Sequence, residues 1–252
     1  LEDCAVELKD LAEYTDKLTA IFDRNGVKGT WYAHASVGCL HVRPVLNMKQ
    51  ACGAETMRAI AEEAFELVRF FGGSHSGEHG DGIVRSEFND RMFGPVLPDL
   101  FRQVKAMFDS QGMFNPGKIT DAPKMDDREL FRFAPGYEAE DFDSVLDWAA
   151  WPGAAGGFQG AVEMCNNNGA CRKLTSGVMC PSFRVTGAEK DSTRGRANSL
   201  RLAMSGQLGA KALASPDMAD TMKLCVSCKA CKHECPTGVD MAAMKIEISA
   251  VL

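Results

Sequence analysis

Several absences bound what this chain can be. No apolar stretch is long enough to cross a bilayer, and no charged-then-apolar leader with a cleavage signature opens the chain, so neither a spanning helix nor an export signal is expected. No run of Lys or Arg builds a basic face and the formal net charge is -6, which argues against a phosphate backbone as partner; no nucleic acid is expected. Cysteine is nearly missing from the first 160 residues, which hold only Cys4, Cys39 and Cys52, while the other seven of the ten fall between Cys165 and Cys235. Such clustering is the spacing of metal ligands rather than of a disulfide framework. Thiolates committed to metal need a reducing compartment, so a cytoplasmic location is expected, in the cytosol or peripheral on the cytosolic face of a membrane. An initiator Met is also lacking: the chain opens at Leu1 and stops at Leu252 inside a helical pattern, as expected of a fragment.

What is present is an ordinary globular composition. With 252 residues, 45% of them hydrophobic and 25% charged, the chain can bury a real core as one large or two modest domains. Its densest chemistry lies in Ser74-His75-Ser76-Gly77-Glu78-His79-Gly80-Asp81-Gly82, two histidines and two carboxylates among glycines that let the backbone come close to something small. A glycine-rich turn with solvated charges is the plainer alternative, but such turns seldom hold Glu-His and Asp together; a catalytic loop is expected.

Periodicity frames that loop. Leu8, Leu11, Tyr14, Leu18 and Phe22 predict an amphipathic helix stopped at Asn25-Gly26, and Thr30-Trp31-Tyr32 with 34–42 predicts two β-prone pieces. His34 and His41 are seven apart, which on one straight strand sends them to opposite faces, so joint action requires a turn, for which Gly38 is suited. A helix is predicted over about 54–71, ended by Gly72-Gly73, and another over about 97–109, followed by the fixed turn Asn115-Pro116-Gly117. From 121 to 155 the chain turns acidic, with Asp121, Asp126, Asp127, Glu138, Glu140, Asp141, Asp143 and Asp147 broken by Pro123, Pro135-Gly136 and Pro152-Gly153, and reads as a wrapping linker. Beyond it, helical loops surround the cysteines, with Ser215-Pro216 as N-cap and first residue of a helix leading to Cys225.

Cys225, Cys228, Cys231 and Cys235-Pro236 follow the run C-x2-C-x2-C-x3-C-P, in which three thiolates bind one cubane and the fourth turns to another. Structural zinc favours separate C-x2-C pairs and fits less well. Cys165, Cys171 and Cys180-Pro181 echo the run with Asn168 in the middle cysteine's place. With crossed fourth ligands, Cys225, Cys228, Cys231 and Cys180 hold a complete [4Fe-4S] cluster. Cys165, Cys171 and Cys235 hold the second, as [3Fe-4S] or as [4Fe-4S] with a non-cysteine ligand. Arg194 and Arg196, on a helix starting near Ser192, either donate to cluster sulfurs or carboxylates or lie on a plain surface helix.

Residues 34–41, the run Ser76-Gly77-Glu78-His79-Gly80-Asp81-Gly82 with Arg85-Ser86-Glu87-Phe88, and Phe114-Asn115-Pro116-Gly117-Lys118-Ile119 together resemble the C-terminal half of FAD-linked oxidases. These are flavoproteins of the vanillyl-alcohol-oxidase type and include D-lactate, glycolate and D-2-hydroxyglutarate dehydrogenases. The cysteine module resembles the ferredoxin-like domain fused to the large bacterial members, including Ser192-Thr193-Arg194-Gly195-Arg196 and the missing cysteine. The resemblance implies an α+β fold: a ferredoxin-like cap and return to the flavin domain over 1–120, an acidic linker over 121–155 and a mainly helical, bacterial-ferredoxin-like iron-sulfur domain over 156–252.

The resemblance also implies roles. The positions matching His34, His41 and Glu78 bind a divalent ion, zinc or manganese, and the position matching His79 is the base; histidines that only hydrogen-bond the substrate are the alternative. Gly77, Gly80, Gly82, Asn115, Gly117 and Lys118 fall against the flavin, and Arg85 or Arg43 is placed to clamp a substrate carboxylate unless engaged in an ordinary ion pair. The implied enzyme oxidises a D-2-hydroxy acid with FAD and passes electrons through two clusters to a quinone or soluble carrier. Its N-terminal FAD-binding domain, with the glycine-rich pyrophosphate loop, is missing from these residues. The competing expectation is an iron-sulfur electron-transfer subunit, like that of anaerobic glycerol-3-phosphate dehydrogenase, with a non-catalytic oxidase remnant.

Overall fold

A computed structural model describes residues 2–138, 143–151 and 156–251. Glu140, Asp141 and Pro152-Gly153 of the expected linker lie outside the described residues. The chain divides into two compact units, Leu1–Tyr137 and Glu138–Leu252. Among the described residues no helix is long and apolar enough to cross a membrane.

The first unit begins with a strand that periodicity does not reveal, β1 (Glu2–Ala5), before helix α1 (Leu11–Arg24). Tyr14, Leu18 and Phe22 are buried on the α1 stripe as their spacing predicts, while Leu8 precedes the helix in an exposed 3-10 turn. Strands β2 (Gly29–His34) and β3 (Cys39–Pro44) follow, then α2 (Ala51–Phe70), which begins three residues before the predicted start. The sheet is antiparallel with order β1-β3-β2, and beyond β1 a single bridge joins Ala5 to Ser74. One face of the sheet takes α1 and α2, so that Cys4, Leu40 and Val42 meet Ile21, Phe22, Ile60 and Val68 in one core. Full burial of each large apolar side chain there is worth about 1.5–3 kcal/mol. The other face is left for polar side chains.

Two short helices, α3 (Asn89–Phe93) and α4 (Val96–Phe108), follow the 74–88 segment. On α4, Leu97, Leu100, Val104 and Phe108 are exposed and only Pro98 is buried. The acidic stretch read as a linker is divided: Met125 donates its N–H to Glu87 and Arg128 donates to the carbonyl of Lys49, within the first unit. Residues 145, 146 and 148 instead belong to the second unit, where the buried Glu247 carboxylate accepts both backbone N–H groups and the Trp148 indole.

The second unit is helical among its described residues: α5 (Gly157–Glu163), α6 (Pro181–Thr186), α7 (Thr193–Met204), α8 (Pro216–Lys223), α9 (Ala230–Glu234) and α10 (Met241–Val251). Its core joins Trp148, Phe158, Val162, Leu200 and Ile248 to six buried methionines, whose flexible thioethers fill the gaps between short, irregularly crossing helices. Ser215 caps α8 by accepting from the Met218 N–H, with Pro216 as the first helical residue. Ser192 caps α7 in the same way through Gly195. Gly195 is there for room: a Cβ would sit 1.9 Å from the carbonyl oxygen of Glu189.

Candidate functional site

The β2–β3 hairpin solves the problem of the two histidines. Residues 35–37 form a 3-10 turn and Gly38 takes φ +69°, with no room for a Cβ against the Val6 carbonyl, so the chain reverses and His34 pairs with Cys39 while Tyr32 pairs with His41. Residues opposite one another in an antiparallel pair share a face, so His34, Cys39, His41, Tyr32 and Arg43 all stand on the face away from α1 and α2. The 74–82 loop arrives over that face from the far side of β1.

There Glu78 Oε1 is faced by three imidazoles: Nε2 of His41 at 2.6 Å, of His34 at 3.6 Å and of His79 at 3.9 Å. His41 is buried, whereas the His34 and His79 side chains are 62% and 46% exposed. The His41 ring is stacked between Tyr32 and His79, with centroids 4.8 and 4.9 Å away, and its Nδ1 lies 3.7 Å from Glu2 Oε1. Nitrogen and carboxylate donors around one point, with a carboxylate behind a histidine's second nitrogen, suit a divalent ion of the zinc or manganese kind. Ligand atoms come within 4.8 Å of one another in the groups Asp3, Cys39, His41, Glu78 and Glu2, His41, His79, neither of which includes His34. The Cys39 thiol is pushed up to about 11 by burial and then by the Asp3 and Glu78 charges. It is a neutral thiol beside the carboxylates.

The two arginines are both engaged. Arg43 grips Glu2 through Nε and a terminal nitrogen at 2.9 and 3.0 Å and also donates to the Tyr32 hydroxyl; the Arg43 hydrogen bond is the main reason Glu2 titrates below the usual carboxylate range. A substrate carboxylate would displace Glu2 to use that fork. Arg85 spends its two terminal nitrogens on the carbonyls of Gly80 and Glu2, closing the loop onto β1. Within the loop, Gly77 donates its N–H to the Asp3 carbonyl, while Asn115 and Lys118 are exposed on a turn that returns to the loop where Ile119 N–H meets the Gly82 carbonyl.

Two groups here had no role in the sequence reading. Asp3, wholly buried, receives the backbone N–H groups of Glu78 and His79 at 2.9 Å each; burial pushes its carboxyl up, but those donors and the Arg85 charge outweigh it and hold it low. No sequence signal marks it, because its partners are 75 residues away. His75 is buried with Nε2 at 3.5 Å from Asp81, and burial pushes its pKa down against the pull of that carboxylate.

In the second unit one cavity is lined by Cys180, Cys225, Cys228 and Cys231, together with Met179, Ser182 and Met241. Burial pushes the Cys231 thiol's pKa up against the pull of the Met241 and Ala242 N–H groups, where α10 begins, and Arg196 donates toward the Cys180 sulfur at 3.7 Å. Donors aimed at sulfur are what an anionic cluster needs, so these four thiols fit a [4Fe-4S] cubane. Cys165 and Cys171 are buried in the same core and Cys235 packs against it; the Arg194 N–H donates to the Cys171 sulfur at 3.4 Å, and α9 packs on the 170–172 turn. Asn168 is exposed and committed to its own turn, donating to Asn166 Oδ1 and accepting from the Ala170 N–H. Glu234 ties α9 to the chain before Cys180 by accepting from Val178 and Met179, and the same two N–H groups lower its pKa.

Residues 1–119 match FAD linked oxidases, C-terminal domain, and residues 161–239 match the 4Fe-4S dicluster domain. The chain thus resembles an FAD-linked oxidase C-terminal domain followed by a 4Fe-4S dicluster domain. It is 31% identical to the D-2-hydroxyglutarate dehydrogenase of Pseudomonas putida over 96% of this chain and 26% of that protein. The D-2-hydroxyglutarate dehydrogenase of Escherichia coli is 29% identical over 95% of the chain and 26% of its own length. The D-lactate dehydrogenase of Archaeoglobus fulgidus matches over 118 residues at 31% identity, 46% of this chain and 26% of that protein. The chain thus spans about a quarter of the length of the curated relatives it matches. The oxidase domain is one that works with FAD and the dicluster domain one that holds [4Fe-4S] clusters. In the oxidase domain the residues offer an open, half-exposed face beside His34, Glu78 and His79, which fits contact with one side of a flat ring system.

Proposed function

We propose that this chain is the C-terminal part of an FAD-dependent dehydrogenase that oxidises a D-2-hydroxy acid of the D-2-hydroxyglutarate, D-lactate or glycolate class to the 2-oxo acid. Electrons leave through two iron-sulfur clusters to a quinone or a soluble carrier, and a quinone acceptor would bring the enzyme to the cytosolic face of a membrane. The observation that carries the reading is the meeting of His34, His41 and His79 around one oxygen of Glu78. An electron-transfer subunit with an inert platform has no use for that convergence. The sheet order β1-β3-β2 with the Ala5–Ser74 bridge beyond β1 supports a ferredoxin-like cap whose last strand has shrunk to one bridge, the bridge that launches the catalytic loop.

When bound, FAD would supply the hydride acceptor for C2 of the substrate. A divalent ion held by His34, His41 and Glu78 would lower the pKa of the substrate hydroxyl. The hydroxyl proton passes to Nε2 of His79, which looks toward Glu78, while Nδ1 looks toward the Asp3 carboxylate at 3.8 Å. Gly77, Gly80, Gly82, Asn115, Gly117 and Lys118 supply the flavin-facing rim. Arg85 keeps the loop closed and Arg43, once released by Glu2, clamps the substrate carboxylate. Cys180, Cys225, Cys228 and Cys231 hold one cluster and Cys165, Cys171 and Cys235 the other.

Stopped-flow reduction of FAD in the complete enzyme by each of the three acids tests the reading. One acid is expected to reduce the flavin rapidly, and His79→Ala is expected to slow that step by roughly 10² to 10⁴ while leaving FAD and iron content unchanged. An unchanged single-turnover rate in the variant removes His79 as the base.

A further inference from the structure

Asp3 occupies a backbone position that few side chains tolerate. Its φ is +101°, and the register of the β1–β3 ladder shifts between Glu2, opposite His41, and Cys4, opposite Leu40. This is a bulge, and bulges re-aim side chains next to active sites. Without it, alternation would put Glu2 and Cys4 on one face and drive Asp3 into the apolar core. With it, Glu2 keeps the polar face, Cys4 enters the core, and the Asp3 carboxylate turns toward the loop with no exposure to water.

Four consecutive loop residues then donate to this one residue. Ser76 Oγ donates to Oδ2 at 3.2 Å, the Gly77 N–H to the backbone carbonyl at 2.7 Å, the Glu78 N–H to Oδ1 at 2.9 Å and the His79 N–H to Oδ2 at 2.9 Å. Bonds from N–H groups to an ionised carboxylate are stronger than neutral ones, and buried ones are stronger still. The 74–82 loop joins the sheet by only one ladder bridge, at Ser74, so the peptide planes that aim Glu78 and His79 are held mainly through Asp3.

We infer that Asp3 is the positioning residue of the Glu78–His79 pair: its carboxylate fixes both peptide planes, so that Glu78 Oε1 meets the imidazoles and His79 stacks on His41. The assignment rests on the roles proposed for Glu78 and His79. Asp3 acts through these two residues and touches no reacting atom. Although its oxygen lies within 4.8 Å of ligand atoms of Cys39, His41 and Glu78, both carboxylate oxygens are already taken by loop donors, which sets it behind the ligands.

Asp3→Asn in the complete enzyme is the test, since it keeps the volume and turns one acceptor into a donor facing an N–H. Amide hydrogen exchange at Glu78 and His79 is expected to accelerate by about 10-fold or more while the β3 amides stay protected, as expected when a local hydrogen bond is lost. Affinity for zinc or manganese alone, read by competition with a chelator, is expected to fall about 10- to 100-fold. The turnover number should fall with little change in KM, and FAD and iron content should match wild type. If the Asn variant does not accumulate as folded enzyme, Asp3→Ser, which keeps one oxygen acceptor, is expected to change the same readouts in the same direction. Wild-type exchange at Glu78 and His79 with wild-type metal affinity overturns the inference, as does a uniform rise in exchange across the whole sheet, which marks a merely structural residue. Exchange is read without turnover. His79→Ala enzyme that keeps full activity would therefore defeat the functional reading and leave the Asp3 result to be judged on its own.

Discussion

The guanidinium of Arg196 lies 3.7 Å from the sulfur of Cys180, and both residues are buried. Arg196 is fully buried, and every part of its fork is used: Nε donates to the Thr221 carbonyl at 2.9 Å, one terminal nitrogen to the Asp191 carbonyl at 2.7 Å, the other to Ser182 Oγ at 3.1 Å, with the Asp191 carboxylate at 3.5 Å. A lysine has no planar fork with which to reach so many acceptors at once. The arginine therefore braces α7, α8 and the Cys180 turn around the cavity lined by Cys180, Cys225, Cys228 and Cys231.

Arg196→Leu is expected to destabilise the iron-loaded protein by about 3–5 kcal/mol, because it leaves Asp191 buried without a partner. The double variant Arg196→Leu with Asp191→Leu should recover much of that loss, since a buried pair replaced by apolar groups is often near neutral. Urea unfolding followed by cluster absorbance checks both. In folded variant protein the midpoint potential of the cluster should fall, because a cationic donor to a thiolate favours the reduced state. A single variant that melts with wild type would show that this brace carries little of the stability.

On the site proposed for His34, His41 and Glu78, a chelator is expected to abolish turnover of the complete enzyme, and zinc or manganese to restore it, because those three side chains offer two nitrogens and an oxygen. His41→Ala should cost more metal affinity than His34→Ala: His41 is buried and held between Tyr32 and His79, whereas His34 is an exposed side chain that spends more freedom on binding. Titration of the stripped enzyme with zinc compares the two. Full activity in metal-free enzyme would leave these side chains as hydrogen-bonding groups.

The convergence of His34 and His41 was legible in the chain, since seven residues with a glycine between them act together only if the strand reverses. The α2 stripe was legible because its apolar period is long, and the placement of Cys180 on one cavity with Cys225, Cys228 and Cys231 because that spacing asks for a fourth thiol from elsewhere. β1 was not. Glu2-Asp3-Cys4-Ala5 has neither alternation nor β-branched residues, and it is a strand only because β3 and Ser74 supply partners distant in sequence. Asp3, and the hold of Glu2 on Arg43, were hidden for the same reason: a carboxylate's partner cannot be read before the strand that carries it. Glu247 likewise shows no sign in the chain that it will gather the N–H groups at 145 and 146.

Asp109 sets a pH limit on the turn that carries Asn115 and Lys118. Its carboxyl is held down from the ordinary 3.8 to about 2, first by Lys105 and then by the N–H groups of Phe114 and Met113. A depressed folded-state pKa means that the stabilisation is fully present above about pH 4 and disappears as the pH falls toward 2. Asp109→Asn is therefore expected to speed amide exchange at Met113 and Phe114 near neutral pH, with the difference from wild type shrinking below about pH 4. A difference that stayed constant down to pH 3 would mean that the charge of Asp109 is not what orders the turn.

Asn168 offers the sharpest test of the cluster assignment. Its side chain is exposed and bound into the Asn166–Ala170 turn, so it is spent on backbone geometry while Cys165 and Cys171 are buried. With thiolates only from Cys165, Cys171 and Cys235, the iron at the corner facing this turn lacks a strong ligand and should be lost easily on oxidation, leaving [3Fe-4S]. The cluster of Cys180, Cys225, Cys228 and Cys231 has all four thiolates and should persist. Anaerobic EPR of the complete enzyme, followed by brief exposure to air, is expected to show an oxidised three-iron signal growing while one four-iron cluster remains. Asn168→Cys should suppress the conversion and, by adding a thiolate charge, lower that cluster's potential. If the native protein keeps two equally robust four-iron clusters, another group completes the first one and the open corner does not exist.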